Sequence, residues 1–106
     1  RVAQAQAEAE RASFAAEAQR REARRTAERA LSNWRSALRT LETVERQTIP
    51  AAERLVTLTE RGYRLGALPY RDLADARTSL YTARRARIDA LEQAANAKAD
   101  LAEVTG

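Results

Sequence analysis

Across 106 residues, 19 Lys and Arg stand against 15 Asp and Glu, a formal net charge of +4, and His, Cys and Met are all absent. Without an imidazole base, a thiolate or a soft metal ligand, the common catalytic and metal centres are excluded. No catalytic residue, metal site or cofactor is expected. The remaining carboxylates are interleaved with cations and read first as a solvated charged face.

Ala fills 25 of the 106 positions while aromatics make up only 5%, too little bulk for an ordinary globular core. Three Gly and two Pro leave few places to turn, and Ala, Leu, Arg, Glu and Gln favour helix. The composition therefore predicts an all-α chain of long helices that approach closely. No apolar run nears the roughly 20 residues that span a bilayer as helix, and no alternating segment of about 10 reads as a barrel strand. No signal peptide is expected; the chain opens at Arg1-Val2-Ala3 inside a helical pattern without an initiator Met, and reads as an excerpt.

Residues 1 to 26 are helical by propensity, but Gln6, Ser13 and Arg20 fall where a heptad seam would want Ala or Leu. The cluster Arg20, Arg21, Arg24 and Arg25 could contact phosphate, yet Glu17, Glu22 and Glu28 lie within helical reach, which favours a solvated surface over nucleic-acid binding. From Ala27 a seam of alternating three- and four-residue steps runs through Ala30, Trp34, Ala37, Leu41, Val44, Thr48, Ala51, Leu55, Leu58, Gly62 and Leu65. Pro50 lies inside it, a defect costing about 3 kcal/mol in a helix interior. Because the seam keeps its phase from Val44 through Thr48 and Ala51 to Leu55, a kink near 48–50 is expected, not a stop.

The one sharp punctuation is Leu65-Gly66-Ala67-Leu68-Pro69, where Gly66 can close a helix in the left-handed conformation and Pro69 suits the first turn of the next. Beyond it the spacing repeats through Leu73, Ala76, Leu80, Ala83, Arg87, Ala90, Ala94, Ala97, Leu101 and Val104. A second stripe, Ala74, Tyr81, Ile88, Ala95 and Ala102, recurs every seven residues beside it. Two stripes on one helix call for two neighbours. The whole is expected to be a single antiparallel coiled-coil hairpin: helix 1–65, turn 66–69, helix 70–105. The seam from 27 to 65 and the returning helix match in length, so residues 1 to 26 overhang by roughly 39 Å on a first helix approaching 100 Å.

The stretch from Gly62-Tyr63 through Gly66, Pro69-Tyr70, Asp72-Leu73 and Asp75-Ala76-Arg77, with Leu80 and Ala83-Arg84 after it, resembles the periplasmic tip of the TolC-type outer membrane efflux factors. Ile49-Pro50-Ala51-Ala52-Glu53 before the turn, and Leu101 to Gly106 closing the returning helix, are similar too. The Ile-Pro segment and the abundance of Arg look closest to the heavy-metal efflux branch. The resemblance implies a homotrimer in the cell outer membrane, each subunit giving β-strands to a barrel and helical hairpins to a periplasmic α-barrel. This chain would be the hairpin of the second half, touching the membrane only through strands outside it. Substrates would pass outward, driven by an inner membrane pump and joined to it by a periplasmic adaptor (membrane fusion) protein.

By the same resemblance Tyr63, Leu65, Gly66, Ala67, Leu68 and Tyr70 form the tip that meets the adaptor, although Gly66 also ends a helix and Leu65 and Tyr70 also staple a turn. Asp72 and Asp75, three apart, would give a threefold tube six carboxylates near its constriction; Asp72 also fits well a helix-start acid worth about 0.3 to 1 kcal/mol, while Asp75, a turn deeper, fits the pore reading better. Three positions depart from the family pattern. Pro69 replaces the usual Ser or Thr cap, Leu68 stands where some members place an Arg, and Ala74 replaces a common Leu.

Two other readings use the same residues. A free-standing coiled-coil scaffold or assembly module needs the heptads but not an Asp pair behind a Gly-x-x-Pro-Tyr turn. A basic amphipathic helix on anionic membrane or nucleic acid uses the +4 charge, and the interleaved Glu argues against it.

Overall fold

A computed structural model describes residues 1–106 as helix throughout apart from one tight turn and the chain ends. Helix α1, Val2–Thr43, passes through one π-helical turn, Val44–Thr48, into α2, Ile49–Arg64; α3, Tyr70–Thr105, returns antiparallel. Backbone angles at Thr43, Val44, Thr48 and Ile49 all stay in the right-handed helical region, so α1, the π turn and α2 form one unbroken rod. The rod's 63 residues at about 1.5 Å each predict roughly 95 Å, and the molecule measures 94 × 20 × 15 Å. Its radius of gyration is 25.9 Å, twice the roughly 13 Å of a compact domain this size.

The π turn is where Pro50 is accommodated. A proline in a regular helix removes one hydrogen bond and presses its ring against the carbonyl four residues back, here Arg46. The Ile49 amide instead donates five residues back to the Val44 carbonyl. That widened turn holds one extra residue and keeps the helix running, one of the few physical causes of a local helix distortion.

The extra residue corrects the seam expected from the sequence. Up to Val44 the buried and half-buried positions are the expected ones: Ala27, Ala30, Trp34, Ala37, Leu41 and Val44. Beyond the π turn the phase moves by one, and Ile49, Ala52, Val56 and Thr59 face α3. Thr48, Ala51, Leu55, Leu58 and Leu65, expected in the seam, are exposed, with Leu58 at 61% and Leu65 at 77%. Thr59 carries a hydroxyl into the seam at little cost because its Oγ1 donates to the Leu55 carbonyl at 2.8 Å.

On α3 the expected positions hold from Leu73 through Ala76, Leu80, Ala83, Ala90, Ala94, Ala97 and Leu101. Arg87 and Val104 do not, and both are exposed. Level with the π turn, the Arg87 guanidinium reaches the Glu45 carboxylate at 3.8 Å, the one ion pair between the helices. With Ile49, Arg84 and Ile88 these residues line an open groove.

Only eight residues are buried, five of them Ala. Alanine lets helices approach but hides little apolar area, and burial contributes only about 25 cal/mol per Å². The chain exposes 8347 Å², against about 5,900 Å² for a compact monomer of its mass. Residues 1 to 25 have no packed partner; α3 ends level with Thr26, Arg29, Ala30 and Asn33, and Val2 and Phe14 stand 72% and 68% exposed. Their surface is held by exposed pairs, Arg21 to Glu17 and both Arg25 and Arg29 to Glu22. The hydrogen bond from Arg25, then its charge and the bond from Arg29, hold the Glu22 carboxyl below its ordinary range.

Candidate functional site

The distal end of the hairpin is built from seven residues between Gly62 and Leu68. Gly66 takes φ 75°, the left-handed conformation only Gly adopts freely. With it in place the Ala67 amide donates to the Gly62 carbonyl at 2.8 Å and the Gly66 amide to Tyr63 at 3.0 Å, the paired bonds of a Schellman closure. The Leu68 amide also donates to Gly62 at 3.1 Å, which draws the chain tightly back over the helix end.

That return brings the half-buried Leu68 side chain down onto Gly62. A Cβ at residue 62 would sit 2.6 Å from Leu68 Cδ1 and 2.8 Å from Cγ, so the missing side chain is what admits the leucine. Beside it the Tyr63 and Tyr70 rings meet edge to face with centroids 5.5 Å apart, clamping the end of α2 to the start of α3. Pro69, extended at φ −72° and ψ 157°, is the residue just before α3 and its carbonyl accepts the Asp72 amide at 3.1 Å.

The turn thus gathers all six expected tip residues: Tyr63, Leu65, Gly66, Ala67, Leu68 and Tyr70. They divide into two jobs. Gly66 and Leu68 shape the turn, whereas Leu65 at 77%, Tyr70 at 55% and Tyr63 at 44% exposure, with Ala67 beside them, present an apolar and aromatic cap to the outside. Gly62 belongs to this device although the heptad reading placed it only in the seam; its spacing of four from Gly66 was the available signal.

Asp72 and Asp75 follow within the first two turns of α3. They flank the buried Leu73 and differ in setting: Asp72 is half-buried at the third helical position, Asp75 is exposed, and neither forms an ion pair within the chain. Asp72 is the only acid in the first turn of α3, where it complements the helix dipole.

Away from the tip, the exposed apolar residues fall into two stripes. Leu55 and Leu58 each precede a seam residue by one, and Tyr81 follows the seam residue Leu80 by one, with Ile88 a heptad further. Successive helical residues are about 100° apart in a fixed hand. On antiparallel helices, one step back on α2 and one step forward on α3 therefore turn to opposite flanks of the hairpin.

Such a molecule is a coiled-coil hairpin with a capped tip and an apolar stripe on each side. The chain belongs to the outer membrane efflux protein family, whose description, "Outer membrane efflux protein", attaches to a match over residues 1–106. Comparison with curated proteins and with solved structures gave no match. The family is one of transport and not of enzymes, and its members form trimeric channels that work with adaptors. This hairpin is accordingly part of an outer membrane efflux channel. None of its helices is long and apolar enough to cross a membrane.

Proposed function

We propose that the hairpin is a stave in the periplasmic tunnel of a trimeric channel, and that its tip docks the periplasmic adaptor of a tripartite pump. The observation that carries this reading is the pair of apolar stripes on opposite flanks. A surface that is apolar on one face alone makes a closed pair with itself, whereas unlike stripes on opposite sides join head to tail and generate a ring. Weak self-packing points the same way, since five of the eight buried residues are Ala and Leu55 and Leu58 are turned outward.

At the tip, Leu65, Ala67 and Tyr70 offer apolar contact to the adaptor while Gly66 and Leu68 hold the turn's shape. Asp72 and Asp75 then face the tube axis near its constriction, where threefold repetition gathers six carboxylates that attract cations passing outward. In this arrangement the energy comes from an inner membrane pump that the chain meets only through the adaptor. Ile49-Pro50 and the Arg-rich surface favour the heavy-metal efflux branch.

A cysteine at Ala67 in the complete channel tests the docking directly, because the native chain has no Cys. Cross-linking to the co-expressed adaptor from residue 67, and none from a cysteine at Ser13, is the expected result. Equal yields from both positions, or none from residue 67 in an otherwise active pump, would remove the tip from the adaptor interface.

A further inference from the structure

Downstream of Val44 the sequence carries two apolar stripes one residue apart, and only one of them can face α3. The first continues the α-helical phase of α1 and holds Ala51, Leu55, Leu58 and Leu65. The second holds Ile49, Ala52, Val56 and Thr59. The first has the larger side chains, so packing within the hairpin alone favours it; yet the structure buries the second and leaves Leu55 45% and Leu58 61% exposed. Something upstream must choose.

The choice is made in the π turn, where one added residue rotates everything after it by about 100°. Pro50 stands at the exit of that turn. In an uninterrupted α-helix its ring would meet the Arg46 carbonyl, a contact the widened turn relieves. We propose that Pro50 is a register lock: by holding the π turn at Val44–Thr48 it keeps the Leu55–Leu58 stripe out of the hairpin's own seam and on the flank, available for lateral contact. Pro50 acts through the backbone and touches no partner itself, so it is a positioning residue. This inference rests on the contacts within the chain and holds whether or not the tip docks an adaptor.

The tip end of the register gives a direct readout. Arg87 pairs with Glu45 across the helices, and counting the antiparallel register toward the turn, less the one residue that the π turn adds, brings Thr59 within one residue of level with Leu73. Both are buried, at 8% and 2%. In the complete channel, a Thr59→Cys/Leu73→Cys pair should close an intramolecular disulfide under mild oxidation, and a Leu58→Cys/Leu73→Cys pair should not. Replacing Pro50→Ala lets the helix run without the extra residue, so the ratio of the two cross-links should invert. Deleting Gln47 in that Pro50→Ala background removes the extra residue itself. Ile49 then follows Val44 by four ordinary steps, and the Thr59 pair should return.

An unchanged preference for Thr59 in Pro50→Ala would overturn the lock, since the stripe would then be chosen by packing elsewhere. Failure of the Gln47 deletion to restore the native pair would overturn it too, because the one-residue count would not be what matters. Should Pro50→Ala fail to give trimer, the combined variant still decides the question: a folded trimer with the Thr59 pair supports the count, and the Leu58 pair refutes it.

Discussion

Replacing Gly62 with Ala sets two effects against each other, and the geometry says which wins. An Ala in a helix is favoured over Gly by about 0.8 to 1 kcal/mol, so near the end of α2 the change should stabilise if nothing else were touched. The added Cβ, however, lies 2.6 Å from Leu68 Cδ1, closer than carbon atoms come. Leu68 must either stay and strain its neighbours, at about 1 to 3 kcal/mol for overpacking, or swing out. Swinging out forfeits roughly half the 1.5 to 3 kcal/mol of a buried leucine, since this one is only half-buried. Leu68 takes the cheaper route, which caps the cost at about 1.5 kcal/mol, so the net effect runs from roughly zero to about 0.7 kcal/mol of destabilisation.

The sharper quantity is the coupling. Removing the obstruction with Leu68→Ala should uncover the helix gain, so Gly62→Ala should stabilise in that background while destabilising in the native one. A four-variant cycle, followed by denaturant unfolding with circular dichroism in the channel protein, is expected to give a coupling of about 1 kcal/mol or more, well beyond the 0.3 to 0.5 kcal/mol within which independent sites add. If Gly62→Ala stabilises by the full propensity gain with Leu68 present, the packing account of this glycine is wrong.

At Gly66, where no atom lies within 4 Å of an added Cβ, Ala tests backbone conformation alone: it should cost about 1 to 2 kcal/mol for the left-handed φ, and Asn should cost less; an equal loss for both in unfolding experiments would point to a contact instead. The Glu22 carboxyl, held low by Arg25 and Arg29, stabilises its helix above the ordinary carboxylate range and loses that effect as pH falls through the depressed value. Carboxylate NMR should find it titrating below the ordinary glutamate range, with about 1 M salt erasing the depression; a midpoint at or above that range would contradict the pairing. Asn at both Asp72 and Asp75 should weaken cation dependence of conductance in the reconstituted channel with the trimer intact. Unchanged selectivity and cation block would leave the two as helix-start acids, and trimer loss would make them structural.

Most of this molecule's outline followed from order and type of residue alone. Gly66 and Pro69 mark the turn because left-handed backbone and a rigid extended φ are local demands that few other residues meet. Apart from Arg87, the returning helix reads true from Leu73 to Leu101 because an unbroken α-helix converts sequence spacing into direction without any other information. The overhang of residues 1 to 26 followed from comparing two lengths. Gathering of the tip residues followed as well, since a tight turn can place its own neighbours nowhere else.

What the order of residues left open was decided by a single hydrogen bond. Between Val44 and Leu65 both apolar stripes are present, and either could face α3; the amide of Ile49 bonding to Val44 adds one residue to a turn and selects the second. Counting by threes and fours cannot see that addition, because it assumes the same rise and rotation at every step. Arg87 left the seam for a related reason: it stands level with the π turn, and Glu45 across the gap gives its charge a partner at the surface. The role of Gly62 also waited on tertiary structure. A heptad makes it a small seam residue, but only the fold of the turn carries Leu68, six residues later, onto the space its side chain would have filled.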